Sequence, residues 1–305
     1  MINPVLFSIR ITDTFSLVVR WYGILVIAGV LVGCWLAEKE IRRRGEDGAH
    51  IWEALIWILP AGVVGARLWY VVQASLTGNP TYINDPLKIL AVYEGGLHIF
   101  GAFLFGAIAL ILYVRKYKLD LWLLLDSIAP MLLIGQAVAR PANFINQELY
   151  GQPTTLPWGI PIDAAHRIAP YNDLLTYPLT TRFHPTFAYE MLWNFLAAGL
   201  LIWLAIRFAE KLKPGMIFSG WLILEGIGRA IIETFRPDQP VIVAGLSYSR
   251  LFALLMALGG ILLLLMMTNK IRIQRITPWR ETYFFGPPLP KEEPKPKRKR
   301  HPYQE

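Results

Sequence analysis

Seven runs of about twenty mostly apolar residues constrain the fold of this chain more than any other feature. A helix rises about 1.5 Å per residue, so a run of about 20 apolar residues crosses the hydrocarbon core of a membrane. Because the runs are continuous rather than alternating, they predict helices and not the strands of a barrel. The runs lie at about residues 17–37, 51–73, 95–114, 120–138, 186–207, 215–234 and 250–268.

The composition supports an all-α polytopic membrane protein of about seven transmembrane helices. Of the 305 residues, 54% are hydrophobic and only 17% are charged, a balance that a soluble domain rarely has. Trp and Tyr residues such as Trp21, Trp69 and Trp122 lie near the ends of the runs, where interfacial aromatic side chains are expected.

The basic residues that give the net charge of +8 predict the orientation. They cluster after the first, third, fifth and seventh runs, and the other connections have fewer for their length. The positive-inside rule therefore puts the N-terminus outside and the C-terminus in the cytoplasm. The clusters include Arg42 to Arg44, Arg115 to Lys118, Arg207 to Lys213 and Lys295 to Arg300.

Two domains are expected, a membrane domain at 1–269 and a tail at 270–305. Within the first, the polar region at about 139–184 is too long for a simple loop and predicts a head or lid on the outer side. The tail is rich in Pro, Lys and Arg, which predicts disorder and contact with anionic lipid in preference to binding of nucleic acid.

The sixth run carries four charged side chains at helical spacing, Glu225, Arg229, Glu233 and Arg236. A charge inside a span costs about 2.5–3.5 kcal/mol on insertion scales, so each one needs a partner, a cavity or a ligand. Steps of four, four and three residues bring the group to one face. That face is either a self-neutralising ladder of ion pairs or an anion site in which Arg229 faces a ligand.

The fourth run ends in a second polar cluster, in the sequence GQAVARPANFINQELYG at 135–151. Pro141 disfavours helix at the preceding Arg140, so the arginine is expected where the helix breaks and backbone amides become free. Asn143, Asn146 and Glu148 follow at once. A hydrated helix end accounts for one such residue but not for the whole group.

Four further polar segments lie at the same predicted end of the bundle, and we expect all six to converge on one site. They are RWYG at 20–23, GARLWY at 65–70, EGGLHIFG at 94–101 and HPTFAYE at 184–190. On spacing alone, His184 is as compatible with starting a helix as with catalysis. The sequence has no cluster with metal-ligand spacing.

A transporter or channel with an intramembrane anion site is the alternative. Against it, the polar residues gather in one half of the membrane. A retinal receptor needs a Schiff-base lysine in the last run, and residues 250–268 contain none.

In chain order, these segments resemble the bacterial prolipoprotein diacylglyceryl transferases from about Arg20 to Asp238. The most specific match is GQAVARPANFINQELYG, which is similar to that family's arginine followed by Asn-Phe-x-Asn-x-Glu and a glycine. RWYG, GARLWY, the GGL of the third run, HPTFAYE and GRAIIETFRPD resemble further family blocks in the same order.

The resemblance implies a transferase of the bacterial plasma (inner) membrane. Such an enzyme moves the sn-1,2-diacylglyceryl group of phosphatidylglycerol onto the lipobox cysteine thiol of a prolipoprotein and releases sn-glycerol 1-phosphate, the first step of lipoprotein maturation. Its implied partners are phosphatidylglycerol, the prolipoprotein signal peptide and membrane lipids, with no nucleic acid and no cofactor or metal.

The resemblance also implies roles for individual residues. The catalytic set is Arg140, Arg229, Glu190 and Glu233. The phosphatidylglycerol site consists of Arg140, Arg229, Tyr22, Asn143, Asn146, Glu148 and Arg236. One departure leaves the general base open, because Phe100 stands where many family members carry His or Tyr. His98 is two residues away and on a different helix face, so it does not take over that position.

Overall fold

A computed structural model describes residues 3–10, 16–92, 95–236, 241–243, 245–271 and 279–285 of the chain. Glu94, Asp238 and the basic run from Lys295 to Arg300 lie outside the described residues. The described part is mostly helical, with little sheet. Its α-helices are α1 Trp21–Arg43, α2 Ala49–Leu76, α3 Thr81–Asn84, α4 Ile99–Tyr117, α5 Leu121–Ala139, α6 Pro141–Ile145, α7 Thr186–Arg207, α8 Met216–Ile232 and α9 Tyr248–Met267.

Six helical segments in the described part are long and apolar enough to cross a membrane. They are α1, α2, α4, α7, α9 and the segment Leu121–Ile145 that joins α5 and α6. The predicted sixth run forms α8, which has 17 residues and contains both Glu225 and Arg229. The prediction of a multi-pass helical membrane protein is therefore confirmed for six helices.

The start of the first run differs from the prediction. Residues from Leu17 to Arg20 belong to a strand and not to the first helix, which begins at Trp21. The strand β2 Ser16–Arg20 pairs antiparallel with β1 Val5–Arg10, and its Val-rich sequence suits a strand. The remaining sheets in the described part are two short pairs, β3 Ile160–Pro161 with β4 Arg182–Phe183 and β5 Val241–Val243 with β6 Leu246–Ser247.

Small residues allow the long helices to approach closely. A Cβ atom built on Gly29 of α1 would lie 2.4 Å from the carbonyl oxygen of Gly135 in α5. In the same way, a Cβ on Gly101 of α4 would lie 2.1 Å from the carbonyl oxygen of Gly65 in α2. Because apolar surface does not drive helices together within lipid, such backbone contacts are the expected packing mode. Helix α5 also packs against α7 and α8.

The region between α6 and α7 builds a small core of its own. Buried Tyr150, Ile162, Tyr171 and Phe183 pack together, and burial raises the pKa of the Tyr171 hydroxyl. The buried Arg167 side chain donates hydrogen bonds to the carbonyl oxygens of Ile162 (2.9 Å) and of residues 177 and 178 (2.6 and 3.2 Å). The long polar segment is thus a folded unit with its own aromatic core.

At the opposite end of the bundle from Arg140, residues 279–285 lie against the helix ends. The fully buried carboxylate of Asp126 in α5 accepts the backbone N–H of Gly215 at 2.6 Å and of Phe218 at 2.7 Å. It also accepts the Tyr283 hydroxyl at 2.7 Å. Asp126 therefore joins α5 to the first turn of α8 and to the chain that follows α9.

Candidate active site at the ends of three helices

Arg140 lies at the junction of α5 and α6, as the proline predicts, but its backbone differs from the expected conformation. Its φ of −59° and ψ of −33° are right-handed helical rather than extended. Pro141 occupies the first position of α6, where a missing N–H costs nothing, so the chain begins a second short helix directly. The arginine side chain is thereby held at the end of the α5 helix.

Glu190 in the first turns of α7 joins the two arginines that the sequence singles out. Its carboxylate forms an ion pair with the Arg140 guanidinium, and the same Oε1 atom lies 3.8 Å from Nη1 of Arg229. Glu190 is buried, with 7% of its surface exposed. One acid from α7 thus brings cations from α5 and α8 together in a place that water reaches poorly.

The second side of Arg229 faces acids and hydroxyls at the end of α8. Its Nε atom lies 3.5 Å from Oε2 of Glu233 and 3.3 Å from Oγ of Ser249. Ser249 donates to Oε2 of Glu233 at 3.3 Å, and Ser247 donates to Oε1 at 3.2 Å. Part of the predicted ion-pair ladder is therefore present, and Ser247 and Ser249 at the start of α9 hold it in place by hydrogen bonds.

Asn143, Asn146 and Glu148 form a connected group directly after Arg140. The Asn143 amide donates to Glu148 at 2.9 Å and the Asn146 amide donates at 3.2 Å. Nη1 of Arg140 donates to the side-chain Oδ1 atom of Asn143 at 3.4 Å. The cluster that a hydrated helix end does not explain is therefore a hydrogen-bonded group that continues from the arginine.

Two residues with left-handed backbone flank Glu148. Gln147 has φ of 53° and Leu149 has φ of 52°, a conformation that costs a residue with a side chain about 1–3 kcal/mol. The Gln147 side chain makes two hydrogen bonds with Asp163, at 2.7 and 2.8 Å, which offset part of this cost. The tight turn directs the Glu148 carboxylate back to the two asparagines.

Gly151 ends the sequence GQAVARPANFINQELYG and connects three segments of the site. Its N–H donates to the carbonyl oxygen of His184 at 2.7 Å, and the next N–H, of Gln152, donates to that of Phe235 at 2.8 Å. A Cβ atom at Gly151 would lie 2.8 Å from atoms of His184, Thr186 and Phe235. The start of α7 and the end of α8 therefore meet over a position with no room for a side chain.

Not every polar segment joins this group. Arg67 is buried in α2 and donates to the carbonyl oxygens of Ile89 and Gly95 at 2.9 and 2.7 Å, so it organises the loop before α4. The expectation that all six segments converge is wrong for this arginine.

Tyr22 is 44% exposed on the first turn of α1, and within the described residues no hydrogen bond joins it to the arginines. Arg236 directly follows the 3-10 helix Glu233–Phe235.

The third run supplies aromatic rather than polar contacts. His98 caps α4 by accepting the N–H of Phe100 at 3.4 Å, and its ring lies 6.2 Å from that of Trp69. The Phe100 ring in turn lies 5.7 Å from the Phe252 ring. The His98 and Phe100 rings lie 5.3 Å apart, and the expectation that His98 does not take over position 100 stays a prediction.

Several residues of the site were not singled out from the sequence. Ser247 and Ser249 precede the seventh run and carry no distinctive spacing. Gln136 and Asn194 lie within apolar runs, and the Asn194 amide donates to Oε1 of Gln136 at 3.0 Å. A buried amide within an apolar run is a usable signal, since it needs a partner, and Asn194 is only 1% exposed.

An apolar cavity of about 410 Å³ lies between α1, α2 and α5. Its walls include Val26, Leu55, Ile58 and Met131, and Gln136 and Ala139 lie at the end next to Arg140. A cavity with aliphatic walls and charged groups at one end suits an amphiphile with an anionic head.

Within the described residues, the Nε atom of Arg140 is buried and has no hydrogen-bond partner, so it is a donor with spare capacity.

The fold and the site together define a multi-pass membrane protein with two arginines preassembled at one end of its bundle. The family model described as prolipoprotein diacylglyceryl transferase matches residues 4–266. The chain belongs to this family, and it is a transferase by that membership.

Curated relatives agree along most of their length. The chain is 39% identical over 244 residues to a phosphatidylglycerol–prolipoprotein diacylglyceryl transferase of Chloroflexus aggregans, covering 78% of each chain. It is 40% identical over 226 residues to one of Synechococcus elongatus, covering 72% of this chain and 74% of the relative. A Streptomyces coelicolor relative, transferase 2, is 36% identical over 254 residues and covers 82% and 76%. None of these findings supports the transporter alternative.

Proposed function

We propose that the protein transfers the sn-1,2-diacylglyceryl group of phosphatidylglycerol to the lipobox cysteine of a prolipoprotein, and that Arg140 and Arg229 carry the reaction. The observation behind this assignment is that both guanidinium groups share the buried carboxylate of Glu190. In the reaction, the cysteine sulfur forms a bond to the glyceryl carbon while the carbon–oxygen bond to phosphate breaks. Glycerol 1-phosphate leaves with the electron pair of that bond.

The arginine pair suits this chemistry because charge builds up on the departing phosphate. Fixed guanidinium donors in a site with little water stabilise such charge strongly and need no rearrangement. Glu190 keeps them preorganised, and the buried Nε of Arg140 offers a further donor. Glu233 contacts Arg229 from the other side. The group of Asn143, Asn146 and Glu148 forms the edge of the region that holds the lipid headgroup. Tyr22 and Arg236 remain assigned to substrate binding on family motif positions alone.

The apolar cavity provides a place for the acyl chains of the lipid. Its walls are aliphatic, and it reaches the site beside Arg140 through Ala139 and Gln136. A lipid in this orientation has its tails between α1, α2 and α5 and its phosphate at the arginines. The scissile carbon–oxygen bond then lies at the boundary between the two environments.

The membrane arrangement completes the proposal. Helix α8 is the seventh crossing, since with the 3-10 helix that follows it the apolar segment is long enough for a span. The N-terminus lies outside and the C-terminus in the cytoplasm of a bacterial plasma (inner) membrane. The membrane domain comprises residues 1–269, and the folded region at about 139–184 is an outer head. The tail at 270–305 lies on the cytoplasmic side, where residues 279–285 pack against the helix ends.

The purified full-length protein with phosphatidylglycerol and a lipobox peptide provides the test. We expect glycerol 1-phosphate release and a peptide mass increased by the diacylglyceryl group, both lost in Arg140→Ala and Arg229→Ala. Arg207→Ala, at an exposed position in the last turn of α7, is the matched control and should retain both. Full activity in both arginine variants, or no glycerol 1-phosphate from the wild type, would overturn the proposal.

A further inference from the structure

Four glutamates surround the two arginines, and three of them are already engaged. Glu190 pairs with both arginines. Glu148 accepts from two asparagine amides, and Glu233 accepts from two serines and contacts Arg229. Each of these three carboxylates thus already contacts at least two donor groups of the site. Within the described residues, Glu225 is the one of the four that no such pair of donors holds, and it has no ion pair within 4 Å.

Glu225 is nevertheless part of the same site. It lies on α8 four residues before Arg229, one helical turn further from the Arg140 end of the bundle. Its carboxyl group lies close enough to Glu190, Arg140 and Arg229 to interact with their charges, and it lies next to the Gln136 side chain. Glu225 therefore faces the charged groups of α5 and α7 as well as that of its own helix.

Gln136 connects Glu225 to the apolar cavity. The Oε1 atom of this amide accepts from the buried Asn194 at 3.0 Å, which leaves the NH₂ group to face Glu225. The same side chain lines the cavity beside Ala139. Glu225 thus lies next to a side chain that lines the cavity and within electrostatic reach of both arginines.

The transfer reaction has a proton to move. The thiol must lose a proton as its sulfur attacks, and the departing phosphate can accept one. A free cysteine thiol has a pKa of about 8.5, so it is mostly protonated at neutral pH. The residue at position 100 is a phenylalanine and cannot accept a proton, and His98 contacts aromatic rings rather than the arginines.

We propose that Glu225 is the proton acceptor for the substrate thiol, and that it passes this proton to an oxygen of the departing phosphate. The inference rests on the proposed transferase function. The sulfur–carbon bond forms with the sulfur electron pair, and the carbon–oxygen electron pair goes to the phosphate oxygen. The thiol proton moves to the Glu225 carboxylate and then to that oxygen, so no other reactant is consumed.

The test compares the wild type with Glu225→Gln in the diacylglyceryl transfer assay across pH 7 to 9.5. General base catalysis contributes about 10²–10⁴-fold, so we expect kcat of the variant to fall at least about 100-fold at pH 7. The KM for phosphatidylglycerol should stay within about threefold, since the arginines are intact. Because the thiol ionises without help above its own pKa, the loss should shrink to less than about tenfold at pH 9.5.

A peptide with selenocysteine in place of the acceptor cysteine gives a second readout, because a selenol ionises at lower pH than a thiol. We expect it to recover most of the lost rate in Glu225→Gln at pH 7, which a change in structure alone would not allow. Glu210→Gln, at an exposed position beyond the end of α7, is the matched control and should behave as the wild type.

Wild-type transfer with full activity in Glu225→Gln, or with a loss that is equal at every pH and for both peptides, would overturn the assignment. An inactive wild type would instead overturn the proposed function. If Glu225→Gln does not accumulate in the membrane, Glu225→Asp and Glu225→Asn test the same point. The carboxylate variant should transfer at pH 7 and the amide variant only at alkaline pH, and equal rates at pH 7 would overturn the inference.

Discussion

The carboxylate of Glu190 lies between the guanidinium groups of Arg140 and Arg229 and contacts both. These side chains come from the start of α7, the end of α5 and the end of α8. Two cations that would otherwise repel each other are thereby held in one place before any substrate arrives. A single acid thus decides whether the two arginines act as a pair.

Glu190→Gln is therefore expected to lower transfer at least about 30-fold. Removing one partner of a desolvated charge pair costs about 2–5 kcal/mol, and about 1.4 kcal/mol corresponds to tenfold in rate. Initial rates at several phosphatidylglycerol concentrations measure the effect on kcat and KM. Glu210→Gln removes an exposed acid beyond the same helix and should leave both constants unchanged. Activity of Glu190→Gln within twofold of the wild type would contradict the role given to this pair.

Ser249→Ala tests the support on the other side of Arg229. The Ser249 hydroxyl contacts Nε of Arg229 at 3.3 Å and donates to Glu233 at 3.3 Å. A hydrogen bond to a charged group is worth about 1.5–3 kcal/mol, so transfer should fall at least about tenfold with the fold intact. Thr268→Ala removes a hydroxyl just past the other end of α9 and should have no effect on the rate. A loss as large as that of Arg229→Ala would mean that Ser249 acts on the substrate directly.

The sequence predicts the helices that surround the site better than it predicts the contacts between the polar side chains. Apolar runs show which segments can lie in a membrane, so six helices follow from composition alone, and Pro141 correctly marks the end of α5. The contact of Glu190 with two arginines joins residues that lie 50 and 39 positions apart in the chain, a distance at which periodicity carries no information. Only the packing of α5, α7 and α8 brings them together.

Arg67 is a residue for which the sequence predicts the wrong surroundings. From sequence it has the same signal as Arg140, an arginine near the end of an apolar run, yet it donates to backbone carbonyls of the loop before α4. A buried guanidinium is satisfied equally well by an anion or by several carbonyl oxygens, so the residue type cannot separate the two uses. Asp126 carries a usable signal in the sequence, because an acid in the middle of the run LWLLLDSIAP requires a partner.

Gly151→Ala is expected to lower transfer at least tenfold and to reduce the melting temperature in detergent. The added methyl group would lie 2.8 Å from atoms of His184, Thr186 and Phe235, so the start of α7 and the end of α8 must separate. Glu190 and Arg229 move with these two segments. Overpacking of this kind typically costs about 1–3 kcal/mol.

Gly199→Ala is the matched control for this position. It lies in α7 and has no atom within 4 Å of a Cβ built on it, among the described residues. It should change neither the rate nor the melting temperature. Equal behaviour of the two alanine variants would show that the close approach at Gly151 does not set the geometry of the site.

Tyr283→Phe should loosen the chain after α9 without altering the arginine site. Burial and the neighbouring Asp126 charge raise the pKa of the Tyr283 hydroxyl, so it stays protonated and donates to Asp126 at 2.7 Å at any physiological pH. Without this donor, a fully buried carboxylate loses one of three hydrogen bonds, at a cost of about 1–3 kcal/mol. We expect faster amide exchange in residues 279–285 and at the start of α8, and a lower melting temperature in detergent.

Tyr248→Phe, which removes a hydroxyl that is 67% exposed at the start of α9, should change neither. Unchanged exchange in Tyr283→Phe would mean that the aromatic ring, and not the hydroxyl, holds this segment to the bundle.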